Sequence, residues 1–314
     1  MLVIDRETVA RLLTYEVCIP LVRKAMIALS RGETRQLLRS IIPLGGGGAF
    51  GIMPGALSER GVFGAKLISV FPGNFDRGLP SHQGVVVLFD PASGAVSCVA
   101  DAGEITAIRT AAASAVATDA LARADASRLA LLGYGEQAKT HARAISRVRA
   151  LDSIEVWGRS LERADAFAAR MRDELEIPVR AHASAEAAVA EADIVCTVTS
   201  AREPVLLGRW VRPGAHVNVV GSGGPGPVEV DDDLVLRARF IADYREGVLA
   251  QGAEFLNAKE KGLIGDEHVA GEIGQVLDGT IPGRQSDEQI TVYKSLGHVV
   301  QDLAAAEALL EAAR

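Results

Sequence analysis

Aromatic residues make up only 4% of the 314-residue chain. A core with so few rings must be assembled from Ala, Val, Leu and Ile, which suits layered α/β packing. Cysteine is scarce too: Cys18, Cys98 and Cys196 lie far apart, odd in number and without a CxxC pair. That argues against a disulfide framework or a zinc site and fits a reducing compartment. Positive charge is in deficit, with a formal net charge of −7 and no basic run. Nucleic acid is therefore not expected as a partner, because phosphate binding needs a basic footprint. No stretch approaches the roughly 18 apolar residues that cross a bilayer. The opening MLVIDRETVARLL has early acids and no apolar run followed by small residues, so no secretory signal is expected. These features describe a soluble, cytoplasmic protein with no membrane partner and room for two domains.

What is present has two textures. Cys18, Leu21, Val22, Ala25, Met26 and Leu29 recur at helical spacing and form one apolar stripe. From about residue 37 to 100 come short extended runs broken by glycine, including the four-glycine turn at 45–48. Residues 85–89 and 96–100 are β-rich and joined by Asp90-Pro91-Ala92-Ser93-Gly94, a hairpin turn sequence. This half reads as an antiparallel or mixed sheet. An alanine-rich helix over 105–123 follows, and then strands alternate with helices. Strands are expected at 129–132, 154–157, 194–198, 217–220 and 240–242, with helices to about 149 and over 161–175. Such alternation implies right-handed crossovers and a doubly wound parallel sheet. At the end, Leu296, Val299, Val300, Leu303 and Leu310 share a helical face, with Ala304, Ala305 and Ala306 close by. A final helix of this kind can return to the first domain, making that domain discontinuous.

Between the first strand and helix of the alternating region stands Gly133-Tyr134-Gly135-Glu136-Gln137-Ala138. Gly133 permits a tight turn, Gly135 lets backbone approach a pyrophosphate, and Ala138 allows close helix–strand packing. The N–H groups at Glu136 and Gln137 open the helix and can face phosphate. This points to a nicotinamide dinucleotide. The second strand ends in Gly158-Arg159-Ser160, where NAD-selective folds place an acid for the ribose 2′-hydroxyl. Without that acid, Gly158 leaves room and Arg159, Ser160 and Arg163 can contact a 2′-phosphate, so NADPH is expected, with NADH possible. Thr197, Thr199, Val220, Gly221 and Ser222 belong to two later post-strand loops suited to ribose or nicotinamide.

In the first half, Arg39, Lys66 and Arg109 stand in apolar or small-residue contexts. A buried cation is costly without an anion, so a convergent trio predicts a carboxylate or phosphate ligand. Ion pairs within the domain are the competing account, and spacing alone leaves both open. His82 is a candidate proton donor. The remaining histidines show no metal spacing, so no metal is expected. Neither GxSxG, HExxH nor a paired-acid motif is present.

Several motifs in a shared order then resemble the ornithine cyclodeaminase/mu-crystallin family over nearly the whole length. They are Met53-Pro54-Gly55, Gly64-Ala65-Lys66, Pro72-Gly73-Asn74 and Leu88-Phe89-Asp90 with Asp101. The order continues through Ile105-Thr106-Ala107-Ile108-Arg109-Thr110, the Gly133 turn, Asp193-Ile194-Val195-Cys196-Thr197 and Tyr293-Lys294-Ser295-Leu296-Gly297. The resemblance implies a homodimer. Residues 1–122 with 293–314 would form an α+β substrate-binding and dimerisation domain, and 123–292 an inserted Rossmann-type NAD(P)-binding domain. It also implies that Arg39 and Lys66 hold a substrate carboxylate, with Met53 and Arg109 on the same side. Ser81, Arg109 and Ser295 would lie near the nicotinamide.

One departure is informative. Cyclodeaminases of this family carry an acid and, four residues on, a lysine after the strand expected at 217–220; the matching positions here are Gly223 and Pro227. The chain is therefore more similar to the imine-reducing branch. The expectation is NADPH-dependent reduction of 1-pyrroline-2-carboxylate or 1-piperideine-2-carboxylate to L-proline or L-pipecolate. Lys66, His82 or water would protonate the ring nitrogen. Rival readings are ornithine cyclodeamination, dehydration of cis-3-hydroxyproline, reductive amination of pyruvate, and a non-catalytic cofactor- or ligand-binding protein.

Overall fold

The computed structural model describes residues 1–58 and 61–314. The chain forms two compact units, Met1–Thr110 with His298–Arg314, and Ala111–Gly297. In the first, β1 (Leu2–Ile4), α1 (Arg6–Leu12) and α2 (Tyr15–Ser30) precede a run of strands. These are β2 (Arg35–Gln36), β3 (Ser40–Pro43), β4 (Ala49–Ala56), β5 (Phe63–Val70), β6 (His82–Phe89) and β7 (Val96–Asp101). The sheet order is β1-β7-β6-β5-β4-β2, with β3 also on β4. Only β1 runs parallel to its neighbour, so this is the mixed sheet that the glycine-broken texture implied. The β6–β7 hairpin closes where Asp90 Oδ1 accepts from the backbone N–H groups of Ala92 and Ser93 and from the Ser93 hydroxyl. On α2 the expected stripe is buried at Cys18, Val22, Ala25, Met26 and Leu29, while Leu21 lies at its half-buried margin.

Helix α3 (Ala102–Leu121) carries the border between the units. It starts earlier than the expected residue 105 because Asp101 Oδ1 accepts from Glu104 N–H, 2.7 Å away, and caps it. The second unit then runs β8 (Arg128–Leu132), α4 (Glu136–Ile145), β9 (Ser153–Trp157), α5 (Leu161–Leu175), β10 (Val179–His182), α6 (Ala185–Val189) and β11 (Ile194–Thr197). It continues through β12 (His216–Val219), α7 (Asp232–Arg237), β13 (Arg239–Ala242), α8 (Arg245–Gln251) and α9 (Ala253–Glu260). The last elements are β14 (Val269–Glu272), α10 (Ile273–Leu277), β15 (Thr291–Lys294) and, back in the first unit, α11 (Val299–Ala312).

The eight strands of the second unit are all parallel, in the order β10-β9-β8-β11-β12-β15-β13-β14. This is a Rossmann-type doubly wound sheet, and the connections change direction between β8 and β11. Strands β10, β14 and β15 do not stand out in the sequence. β15 reads Thr-Val-Tyr-Lys yet is wholly buried between β12 and β13, because its polar ends are bonded internally. That pairing places Thr291–Lys294 in the second unit, so the border falls after Gly297 and not at 292/293. At the other border, the compact units divide after Thr110, not at 122/123.

Leu296 is not part of the final helix. Gly297 takes a positive φ of 78°, His298 caps α11, and the N–H groups of Leu296 and Gly297 both donate to Asp243 Oδ2 at 2.7 Å. Leu296 packs on the core of the second unit. Among the described residues, no helix is long and apolar enough to cross a membrane.

Candidate active site

The first unit assembles a basic cluster. On β5 the alternation of a half-buried sheet turns Gly64, Lys66 and Ile68 inward, so the pleat itself buries the ammonium of Lys66. Met53 of β4 and Val86 of β6 flank it in register. Helix α11 packs on α2 and on strands β4, β5 and β6, and its buried face carries Asp302. Lys66 Nζ donates to Asp302 Oδ1 at 3.1 Å, and Arg109 Nε donates to the same oxygen at 2.9 Å. Arg109 also reaches Gln301 Oε1 at 2.9 Å. Asp302 Oδ2 is buried without a hydrogen-bond partner among the described residues. Two cations thus share one carboxylate, with Lys66 2% and Arg109 4% exposed.

The electrostatics follow from this crowding. Burial pushes the Lys66 pKa down to about 8; Asp302 opposes the shift, while Arg109 and Arg39 add to it. Surrounding protein, then the charges of Lys66 and Arg109, push His82 down to about 4, although the residue is exposed. Its Nδ1 lies 2.9 Å from the hydroxyl of Ser81. His298 is likewise held at about 4, by burial first, with Asp302 opposing and Arg109 and Arg39 reinforcing. Arg39 is half-buried just before β3, and its charge is felt by both Lys66 and His298. Arg39, Lys66, Arg109 and His82 therefore gather within one unit. Asp302, their common counter-charge, escaped the sequence reading, although a lone acid in a run of Val, Leu and Ala was its available signal.

The second unit presents the glycine turn. Gly133 has a φ of 125°, and a Cβ there would meet the Val198 carbonyl oxygen at 2.7 Å, so only glycine fits. A Cβ at Gly135 would meet nothing within 4 Å, leaving the start of α4 open to a close ligand. Among the described residues, Gln137 Oε1 and Ser295 Oγ are buried without hydrogen-bond partners. An open helix start and two unmet polar atoms fit a dinucleotide at the strand ends, where doubly wound sheets bind ligands.

Two expectations need correction. The space beside Gly158 is not vacant, because the ring of Tyr134 fills it. Ser160 uses its hydroxyl oxygen to accept from Arg163 N–H and cap α5; Arg159 and Arg163 are exposed. The loop hydroxyls are also engaged. Thr197 Oγ1 donates to Glu229 Oε2 at 2.8 Å, and Thr199 Oγ1 donates to Glu229 Oε1 at 2.7 Å. Backbone N–H groups of Thr199 and Gly221 reach the same carboxylate at 2.6 Å each. Ser222 donates to Glu254 and accepts from Lys294 Nζ at 2.6 Å. Lys294 also pairs with Glu254 Oε2 at 2.7 Å. Val220 lies just past the end of β12, its N–H on the Thr197 carbonyl at 3.1 Å. Glu229 and Glu254 were not singled out in the sequence, and Lys294 stood there only within a family motif, with no role.

A family model for the ornithine cyclodeaminase/mu-crystallin family matches residues 1–314. Ketimine reductase mu-crystallin of Mus musculus is 36% identical over 293 residues, 92% of this chain and 90% of the relative. The structure of Thermococcus litoralis Δ1-pyrroline-2-carboxylate reductase in complex with NADH and L-proline is similar with a TM-score of 0.96 at 34% identity. That match covers 100% of this chain and 97% of the other. An archaeal alanine dehydrogenase dimer with bound NAD has a TM-score of 0.93 at 30% identity, covering 100% and 96%. With a family match from end to end, and the basic cluster and glycine turn in the two units of the fold, the chain belongs to the ornithine cyclodeaminase/mu-crystallin family.

Proposed function

We propose that the chain is an NAD(P)H-dependent reductase of cyclic 2-imino acids, converting 1-pyrroline-2-carboxylate or 1-piperideine-2-carboxylate to L-proline or L-pipecolate. The observation that carries this reading is the surplus of buried positive charge around Asp302. One carboxylate does not neutralise both Lys66 and Arg109, and a substrate carboxylate supplies the missing anion. Arg39 and Lys66 fix that carboxylate, with Met53 and Arg109 beside them, and so set which face of the C=N bond is presented. The relatives named for reduction of ketimines and of pyrroline-2-carboxylate support the reading.

The bound dinucleotide supplies the hydride. Gly133, Gly135, Glu136 and Gln137 would hold its pyrophosphate, and Ser295 and the loops at Thr197, Thr199, Val220, Gly221 and Ser222 would serve its nicotinamide half. Those loops act through their backbone, since their hydroxyls are bonded internally. Arg159 and Arg163, with no acid at the end of β9, favour NADPH; the neighbours that carry NADH or NAD make NADH the alternative. The ring nitrogen needs a proton as C2 gains hydride. With a pKa of about 8, Lys66 is largely protonated at neutral pH, whereas His82, at about 4, has little proton to give. Lys66 is thus the donor best matched to neutral pH.

Cyclodeamination fits less well. After Gly223 and Pro227, the next acid in sequence is Glu229, which is fully buried and already accepts four hydrogen bonds. A homodimer through the first unit accords with the dimeric relative and with the exposed Leu37, Ile41, Ile42 and Leu44. The three buried free cysteines suit a reducing cytoplasm. The test is loss of reduced-nicotinamide absorbance with a panel of cyclic imino acids. Oxidation of NADPH or NADH by a five- or six-membered imino acid is expected. Silence across the panel, together with ammonia release from ornithine, would overturn the reading.

A further inference from the structure

We infer that Glu229 is a positioning residue for hydride transfer, tying the two cofactor-side loops and the end of β15 into one rigid edge. The inference rests on the reductase reading for the hydride step. The geometry lies wholly within the second unit. The loops that follow β11 and β12 stand beside the place where strand order reverses, and both end on this one carboxylate. Its Oε1 takes the N–H and hydroxyl of Thr199; its Oε2 takes the hydroxyl of Thr197 and the N–H of Gly221.

The carboxylate is itself anchored. The Glu229 carbonyl accepts from the N–H groups of Val205 and Leu206 at 2.9 and 3.0 Å, and its own N–H donates to Glu254 Oε1 at 3.1 Å. Glu254 pairs with Lys294 at 2.7 Å, and Lys294 donates to the Ser222 carbonyl at 2.7 Å. Lys294 precedes Ser295, whose buried Oγ has no hydrogen-bond partner among the described residues. Burial raises the Glu229 pKa, and the donors from Thr199 and Thr197, then Lys294, pull it back. An apolar residue there would leave the donors of Thr197, Thr199 and Gly221 unmet, which ties the carboxylate to both loops. Backbone N–H groups of Val220 and Gly221 already meet the Thr197 carbonyl at the roots of the loops, and the carboxylate adds a fixed spacing between Thr199 and Gly221 beyond them.

Glu229→Gln keeps the size but turns an amide NH2 toward an N–H donor, Thr199 or Gly221, so one loop must let go. In the full-length protein it is expected to raise the Kd for NADH or NADPH by about tenfold or more. It should also lower kcat, while the KM for the imino acid, measured at saturating cofactor, stays within about threefold. Thr199→Val, which removes the hydroxyl's bond to Glu229 and the one it accepts from Ala201 N–H, should raise the same Kd by about threefold. Cofactor Kd within twofold of wild type in both variants would overturn the inference. So would cofactor and imino-acid constants that worsen together in step with a lowered melting temperature. If Glu229→Gln does not fold, Thr199→Val decides by the same Kd criterion. Cofactor binding is read without substrate, so a wild type that turns over no imine would fail the reductase reading and leave this comparison intact.

Discussion

The two units bury ion clusters of opposite sign. In the first, Lys66 and Arg109 converge on one oxygen of Asp302, whose other oxygen has no hydrogen-bond partner among the described residues. In the second, two carboxylates, Glu229 and Glu254, stand with one lysine, Lys294, and Glu229 takes four donors. The first cluster retains unmet positive charge, which is a capacity to bind an anion. The second is nearly saturated, which gives rigidity and little affinity for anything new. A buried cluster is thus read by what it leaves unmatched, and not by how many charges it holds.

The sharpest way to break the comparison is Asp302→Asn. It strands two buried cations, so the loss should be about 3–5 kcal/mol, read from denaturant unfolding. A loss below 1 kcal/mol would show that the cations do not depend on Asp302. The second test uses pH. Anion binding favours charged Lys66, whose pKa lies at about 8, so imino-acid affinity should be level below pH 8 and fall toward tenfold per unit above it. Lys66→Arg, which stays charged, should flatten that limb in a KM-against-pH profile. Because folding lowers the Lys66 pKa from 10.5, the unfolded chain binds more protons between about pH 8 and 10.5, and this term makes stability rise with pH there.

A smaller effect concerns the cofactor. Arg159→Ala and Arg163→Ala should each raise the KM for NADPH on the order of fivefold and leave NADH nearly unchanged, because both side chains are exposed and screened. Equal loss with both cofactors would remove the 2′-phosphate assignment. The smallest lies in the core of the second unit. His141 and His216 are buried and neutral, with burial lowering their pKa values to about 4 and about 3. Below about pH 6.5 the unfolded chain takes up protons that these rings refuse, so stability falls with acid by up to about 1.4 kcal/mol per pH unit for each. His141→Gln should make the fall of melting temperature between pH 6.5 and 5 shallower.

Much of the fold was legible because its signals are local. The alternation after residue 128, the Gly133 turn and the Asp90 hairpin each lie within a few residues of chain. The candidate site was legible in half. Cations in apolar company announced Arg39, Lys66 and Arg109, but their partner did not announce itself, since Lys66 and Asp302 are 236 residues apart. Glu229, Glu254 and Lys294 share that difficulty: each reads as an ordinary surface charge until distant strands enclose it. β15 was hidden for the same reason, as Thr291 and Lys294 are polar residues whose partners on other elements make burial tolerable. Tyr134 over Gly158 shows a third limit, because a vacancy inferred from a missing side chain can be filled by a neighbour in the turn.

The division of labour between the two clusters is tested most directly by Lys66→Ala, measured for imine turnover and for NADPH and NADH binding on the same preparation. The expected result is a loss of at least about 100-fold in kcat/KM, as for a lost charged contact and proton donor, with cofactor Kd within twofold of wild type. Near-normal turnover, or loss of cofactor binding along with turnover, would contradict the account.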